Sequence, residues 1–360
     1  MKKILIVANC FDGIYLFRRQ LIEKLSELYD ITICIPFDDR CSLLESDHIK
    51  FQYVKLERRG MNFFSDFKLL LRYNEIMKSI KPDLVITYTI KPNIYASMIA
   101  KRLKLKYFVN ITGLGSIFQK ENILKKMIVF LYRWALSESE KVFFENYSNA
   151  QEFLNLKIID QRKIEILNGA GVDLNEFRFH EMNNENLIFL FIGRIMKDKG
   201  IIEFDQAANS IYVNNNNVQF IAIGETEKDF EETFNEMKKN SIVKYIGKVN
   251  DVKPYIEEAS CIVLPSYHEG MSNSLLEAGS MGRPLIASNI PGCKEAIVDC
   301  ETGYLVKKKD PKDLEDKMNK FINLSEQERK IMALRSHELI ANNFNRDDVV
   351  KRTLEIIIER

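Results

Sequence analysis

No stretch of the sequence approaches the roughly 20 consecutive apolar residues needed to cross a bilayer, so any membrane contact it implies is peripheral. The start, Met1-Lys-Lys-Ile-Leu-Ile-Val-Ala8, opens like a secretion signal. Asn9, Asp12, Arg18 and Arg19 interrupt it, and it reads as a first strand instead. C-x-x-C pairs are absent; the six cysteines lie mostly in or near apolar runs and read as reduced, packed thiols of a cytosolic protein. Histidine is scarce. His48, His180, His268 and His337 show no metal spacing and D-x-D is missing, so no bound catalytic metal is expected. Nucleic acid is not expected as a partner either, because no basic stripe with interleaved aromatics sits on an RNA or DNA motif. There is no internal repeat, and the low-complexity tract Asn214 to Asn217 marks a loop.

Charge of one sign is also lacking overall, with 52 Lys and Arg against 51 Asp and Glu. The balance hides an asymmetry: residues 1–180 carry 28 basic and 21 acidic side chains, a surplus of +7, and the remainder carries −6. The first half therefore favours an anionic partner, such as anionic lipid or a phosphorylated acceptor, unless its cations are simply solvated.

What is present is a length of 360 residues, enough for two domains of ordinary size, and 46% apolar residues. Short apolar strands alternate with longer helical patterns through the first half: Ile4 to Ala8, Ile31 to Ile35, Phe51 to Leu56, Leu84 to Thr87, Tyr107 to Asn110 and Lys141 to Phe144. A second series follows Asn183, at Leu187 to Ile192, Val218 to Ile223, Val243 to Ile246, Cys261 to Leu264, Leu285 to Ala287 and Gly303 to Val306. The alternation predicts two doubly wound α/β domains with parallel sheets. Their junction falls near Asn168 to Phe177, "NGAGVDLNEF", where glycines and asparagine break the periodicity. Ligands of such sheets bind beyond the carboxyl ends of the strands, so two domains facing each other would form an interdomain cleft.

Two stretches carry chemistry. In "SYHEGMSNSLLEAGSMGRPLIAS", Ser266 to Ser288, Glu269 stands in a loop after a buried strand, and Glu277 lies about one turn inside the next helix. That helix begins near Ser272 or Asn273, and its first backbone N–H groups and dipole favour an anion such as a diphosphate. Gly270 permits close approach of a ligand. A carboxylate at Glu277 can accept from paired ribose hydroxyls, leaving Glu269 for sugar hydroxyls at the other end of a nucleotide sugar. A capped surface helix with two ordinary glutamates is the competing reading. In "FIGRIMKDKG", Phe191 to Gly200, Arg194 follows a strand and Lys199 comes five residues later, two cations able to neutralise a diphosphate leaving group, with a solvated Arg and Lys as the competing reading.

Taken together and in this order, "NGAGVD", "GRIMKDKG", "AIGE", "YIGKVNDV", "VLPSYHEGMSNSLLEAGSMGRPLIAS" and "ETGYLV" resemble the retaining glycosyltransferases of GT-B fold, the glycosyltransferase family 4-like group. The resemblance implies an acceptor- and membrane-side domain at 1–170, a nucleotide-sugar domain at 171–345, and a terminal helix at 346–360 packing back on the first. It implies Glu269, Arg194 and Lys199 as the catalytic set. Donor contacts would extend over Gly13, Gly193, Gly224, Gly247, Val249, Gly270, Met271, Ser272 and Glu277. Many relatives place a histidine in the first domain near the reacting sugar. Here "NITGLGSIF", Asn110 to Phe118, has none, and Thr112 is the nearest polar candidate.

That variant resembles the enzymes acting on undecaprenyl-diphosphate-linked sugars, including bacterial N-acetylgalactosaminyltransferases of O-antigen and capsule synthesis. The implied partners are a UDP-sugar donor, a lipid-diphosphate acceptor and an anionic inner-leaflet surface, with no metal and with the protein peripheral on the cytoplasmic face. For the acceptor or membrane, "ERRGMNFF" offers Arg58, Arg59, Phe63 and Phe64. "ILKKMIVFLYRW", Ile123 to Trp134, is open to two readings, a basic apolar membrane helix or an ordinary core helix. A nucleotide-sugar epimerase on the same fold and a noncatalytic sugar-binding scaffold are the rival functions.

Overall fold

A computed structural model describes residues 1–56, 63–115, 118, 122–182 and 186–358, with Phe63 by its backbone alone. Arg58 and Arg59 lie outside the described residues. The strands are β1 Lys2–Val7, β2 Tyr29–Ile35, β3 Ile49–Tyr53, β4 Leu84–Tyr88, β5 Lys106–Ile111, β6 Lys141–Phe144, β7 Ile164–Ile166, β8 Ile188–Ile192, β9 Gln219–Ile223, β10 Lys244–Gly247, β11 Cys261–Leu264, β12 Leu285–Ser288 and β13 Gly303–Val306. The helices are α1 Phe11–Ser26, α2 Phe63–Ile80, α3 Ile90–Arg102, α4 Ile123–Leu136, α5 Tyr147–Asn155, α6 Ile201–Asn214, α7 Glu231–Lys238, α8 Lys253–Glu258, α9 Asn273–Ser280, α10 Pro311–Ile322, α11 Glu326–Asn343 and α12 Arg346–Ile358.

The chain divides into two compact units, the first formed by Met1–Ala170 with the residues from Asp348 on, the second by Gly171–Asp347. In the first unit seven parallel strands run in the order β3-β2-β1-β4-β5-β6-β7. Side chains alternate along β1: Leu5 and Val7 enter one core with α2, α3, α4 and α5, while Ile4 and Ile6 enter another with α1 and α12. This period of two, with both faces covered by helices, is why the strands read as nearly continuous apolar runs. Val349, Val350, Ile356 and Ile357 of α12 belong to the second of these cores.

The second unit has six parallel strands in the order β10-β9-β8-β11-β12-β13, enclosing a core that includes Phe189, Phe191, Phe204 and Phe220. Both units are thus doubly wound, as the alternation of strand and helix predicts. Two strand expectations need correction. The run expected from Phe51 to Leu56 pairs as Ile49–Tyr53, because its partner β2 ends at Ile35, just before Pro36, which has no N–H for a ladder. The edge strand β7 was not expected; at three residues it is too short to show a period.

The order reverses at β8 and β11, neighbours in the sheet whose following loops diverge. Such a switch point opens a crevice at the strands' carboxyl ends. Both motifs singled out in the sequence leave the sheet there.

Candidate functional site

Beyond β8 the chain stays extended long enough for Ile195 to bridge Thr226, with Ile195 N–H donating to Glu225 O at 2.9 Å and Glu227 N–H to Ile195 O at 3.1 Å. This pairing lays Arg194 beside the loop after β9. The Arg194 guanidinium donates to the Glu227 carboxylate while about half of its side chain stays exposed. Gly193 N–H donates to Ile223 O and Gly224 N–H to Gly247 O, both at 3.0 Å, so the three strand ends are stitched together behind Arg194. Val249 is partly buried against the core just past Gly247.

Lys199 closes a short 3-10 turn, Lys197–Lys199, which ends at Gly200 in the left-handed region with φ 75°. A Cβ on Gly200 would lie 2.1 Å from Pro265 O, so only glycine lets the start of α6 press against the end of β11. The approach has a chemical result: Lys199 Nζ donates to Glu269 Oε1 at 2.5 Å, and Ser266 Oγ donates to the same oxygen at 2.7 Å. The pair is largely shielded, with side-chain exposures of 20% for Lys199 and 10% for Glu269.

Two further tethers hold that loop. Tyr267 N–H donates to Asp198 O at 2.8 Å, and His268 Nε2 lies 3.2 Å from Asp198 Oδ2. Behind them the Tyr267 hydroxyl donates to buried Glu203 Oε1 at 2.6 Å, which burial permits because the carboxylate oxygen gains a partner. Sequence reasoning missed Asp198, Glu203, Ser266 and Tyr267. Asp198 and Ser266 flank the motif residues directly, so their adjacency was a usable signal; Glu203 and Tyr267 are joined only by the tertiary fold.

The Glu269–Gly270 turn also rests on Gly292, whose φ is 86° and whose hypothetical Cβ would meet Gly270 O at 2.4 Å and Glu269 Cβ at 2.8 Å. Ser272 N–H donates to Gly292 O at 2.9 Å from the other side. Gly292→Ala should therefore displace the loop, at a cost of about 1–3 kcal/mol in a left-handed, crowded position. Calorimetry should show a lower melting temperature, and turnover measured well below that temperature should fall as well. A variant with the parent's turnover would mean that the loop's placement does not depend on Gly292.

Helix α9 starts where expected, with Ser272 as its N-cap residue, but no side chain caps it: Ser272 Oγ lies 3.2 Å from Ser274 Oγ instead. Leu275 and Leu276 N–H both donate to Ser272 O at 3.2 Å, so the N–H groups of Asn273 and Ser274 precede the helix's own hydrogen bonds and are the ones placed to take an anion. Buried Met271 anchors the entry. Five residues in, burial pushes the Glu277 carboxyl up from an ordinary 4.5 to about 7; the charges of Arg346 and Lys253 oppose the rise and that of Glu176 adds to it. Lys253 Nζ is itself 3.4 Å from Glu176 Oε1, and Arg346 Nε donates to Gly171 O at 3.4 Å. Arg346 had not been singled out; nothing in the local sequence links it to Glu277.

The structure thus brings Lys199, Glu269, Gly270, Met271, Ser272 and the first turn of α9 together, and sets Arg194 with Gly193, Gly224 and Gly247 on neighbouring strand ends. Gly13, in the first turn of α1, Thr112, just past β5, and Phe64, on α2, belong to the other unit. Among the described residues no group of three or more His, Cys, Asp or Glu could hold a metal ion, and no helix is long and apolar enough to cross a membrane. A helix N-terminus, two cations and two carboxylates of different environment can bind a diphosphate and hydrogen-bond hydroxyls on either side of it.

Comparison with known proteins agrees with this arrangement. Residues 173–334 match the family model "Glycosyl transferases group 1", and residues 3–146 match "Glycosyl transferase 4-like". The chain is 27% identical to the N,N'-diacetylbacillosaminyl-diphospho-undecaprenol alpha-1,3-N-acetylgalactosaminyltransferase of Campylobacter jejuni, over 85% of this chain and 86% of the relative. It is 24% identical to the UDP-Gal:alpha-D-GlcNAc-diphosphoundecaprenol alpha-1,3-galactosyltransferase of Escherichia coli, over 96% of this chain and 92% of the relative. The fold is that of Anabaena Alr3699/HepE, solved in complex with UDP and glucose, with a TM-score of 0.83 at 14% identity and complete coverage of both chains. The chain belongs to the glycosyltransferases of GT-B fold, pairing a glycosyl transferase 4-like first domain with a group 1 second domain, and is an enzyme of that class.

Proposed function

We propose that the enzyme transfers a hexose or N-acetylhexosamine from a UDP-sugar to an undecaprenyl-diphosphate-linked glycan, with retention at the anomeric carbon, in O-antigen or capsule synthesis. N-acetylgalactosamine in alpha linkage is the first choice of donor sugar. The observation that carries the reading is the junction of Lys199 with Glu269 at the start of α9. It supplies a cation and the first N–H groups of α9 for the diphosphate, and a carboxylate for the sugar, where the loops after β8 and β11 meet. Glu277, farther along the same helix, is the acceptor for the ribose hydroxyls.

In this reading the bond from the anomeric carbon to the diphosphate oxygen breaks as the acceptor hydroxyl oxygen bonds on the same face. The acceptor proton passes to the departing phosphate, and UDP leaves. Arg194, Lys199 and the α9 terminus stabilise the charge growing on that leaving group, a preorganised electrostatic contribution that calls for no dedicated base and no metal. The activities of the Campylobacter and Escherichia relatives, both named for lipid-diphosphate sugars, support the acceptor class.

The test is a donor screen against a lipid-diphosphate monosaccharide, read by product mass, with EDTA present throughout. The expected result is one added hexose or N-acetylhexosamine from a UDP donor. A donor sugar altered without acceptor would point to an epimerase. Donor binding without turnover would point to a scaffold, and activity that returns only on adding a divalent metal would overturn the metal-free mechanism.

A further inference from the structure

Helix α4 is a core helix on one face and leaves an apolar stripe exposed on the other. One face is core, with Ile128, Val129, Tyr132, Ala135 and Leu136 buried; the other leaves Ile123 84%, Phe130 66% and Trp134 47% exposed. The exposed residues recur at spacings of seven and four, one stripe along the helix. Across the neighbouring α3, helix α2 does the same: Phe64 is 84%, Phe67 61% and Leu71 45% exposed, at spacings of three and four. Residues of α2, α3 and α4 enter the same hydrophobic cluster, so all three helices cover one face of the first sheet. The two stripes therefore border α3 on the same side of the unit.

Charge accompanies the apolar surface. Neither α3, IKPNIYASMIAKR, nor α4, ILKKMIVFLYRWAL, contains an acidic residue; of their six cations Lys125 is buried near Glu152 and Lys91 pairs with Asp66 of α2, while Arg102, Lys126 and Arg133 are exposed. Lys101 of α3 lies 5.2 Å over the Trp134 ring and donates to Trp134 O at 3.3 Å, placing a cation directly at the aromatic edge. Lys126 and Arg133 are exposed beside the α4 stripe. Aromatic and aliphatic side chains bordered on α4 by exposed Lys126 and Arg133 match the boundary between acyl chains and anionic headgroups; a solvated basic face would lack the rings.

We propose that the outer faces of α2 and α4, joined across the acid-free helix α3, form the surface on which this enzyme docks to an anionic lipid bilayer. The proposal adds the partner surface to the reading of a lipid-linked acceptor and draws its biological sense from it. Phe130, Trp134 and Ile123 enter the headgroup boundary, while the exposed Lys126 and Arg133 meet lipid phosphates. Added salt weakens the charge contribution and spares the apolar one.

Trp134 is the single tryptophan of the chain, so its fluorescence reports this face alone. The full-length protein is titrated with vesicles of phosphatidylglycerol and phosphatidylcholine, with pure phosphatidylcholine vesicles, and with vesicles carrying brominated acyl chains; none contains acceptor. With phosphatidylglycerol the emission should shift to the blue and be quenched by the brominated lipid, and with phosphatidylcholine alone binding should be at least ~10-fold weaker. The double variant Ile123→Ser with Phe130→Ser should bind phosphatidylglycerol vesicles at least ~10-fold more weakly, with transfer to a water-soluble acceptor unchanged. Vesicle-bound protein whose Trp134 is neither shifted nor quenched would overturn the proposal, as would equal binding to both lipids. A blue shift that grows with protein concentration in the absence of vesicles would show that a second copy of the chain covers this face instead. Because the vesicles hold no acceptor, failure here leaves the transferase reading untouched, and an inactive enzyme that still docks leaves this one.

Discussion

Lys199→Ala lowers turnover by about 10- to 100-fold, the expected loss when a charge-assisted contact of about 1.5–3 kcal/mol is removed from the transition state. The geometry sets the upper end of that range. Lys199 reaches Glu269 Oε1 at 2.5 Å with only 20% of its side chain exposed, so its field is poorly screened, and its loss also strips a shielded carboxylate of its cation. Arg194 is 53% exposed and leans on Glu227 across the neighbouring loop. Arg194→Ala should therefore cost about tenfold, the lower end of the same range. Rates are compared at saturating donor, with melting temperatures measured beside them so that a fall in stability is not mistaken for a fall in catalysis. Near-normal rates in both variants would place the leaving group elsewhere.

Glu277→Gln separates stability from binding in opposite directions. The folded protein holds the Glu277 proton to about pH 7, against an ordinary 4.5, because burial disfavours the charged form more than Arg346 and Lys253 favour it. A carboxyl whose folded value lies above its unfolded one binds protons more tightly when folded. The cost of ionising it is absent below about pH 4.5, grows between 4.5 and 7, and is complete above 7. Its full size is on the order of 3 kcal/mol. The Gln variant escapes it, so it should melt higher than the parent at pH 8 and close to the parent at pH 4.5.

Binding runs the other way. A carboxylate accepting two ribose hydroxyls is favoured in its charged form, so UDP should bind the parent more tightly as pH rises from 6 to 8, and the variant should lose that component together with about tenfold in affinity. Since UDP itself titrates in this range, the quantity to compare is the difference between parent and variant across pH. Equal melting temperatures at pH 8 would show that the carboxyl carries no ionisation cost. Equal UDP affinity would remove Glu277 from the nucleotide site.

Much of this was legible in the amino-acid sequence where chemistry and position are local. The start of α9 at Ser272, the cations after β8 and the alternation of strand and helix follow from spacing and turn residues over a dozen positions. What was hidden depends on residues far apart in the chain. The ionisation of Glu277 is set first by burial in the tertiary fold and then by Arg346, Glu176 and Lys253, from three other segments, and the loop bearing Glu269 is seated on Gly292 and on the Tyr267–Glu203 bond. Edge strands behaved similarly: β3 took its register from where its neighbour stops. For α4 the periodicity carried both of its faces, and only the packing on α3 decided which residues each face would contain.

The return of the chain from Asp348 onward to complete the first unit's core has a consequence for how the enzyme is made. Val349, Val350, Ile356 and Ile357 fill the side of the first sheet that also holds Ile4 and Ile6, so that sheet is only partly covered while the second unit is still being synthesised. At 5–20 residues per second the interval from Ala170 to Ile358 lasts roughly 10–40 s, during which a strip of apolar surface on the nascent first domain awaits its covering helix. The second domain, contiguous from Gly171 to Asp347, has no such wait and can close first, reversing the usual amino-to-carboxyl order of completion on the ribosome.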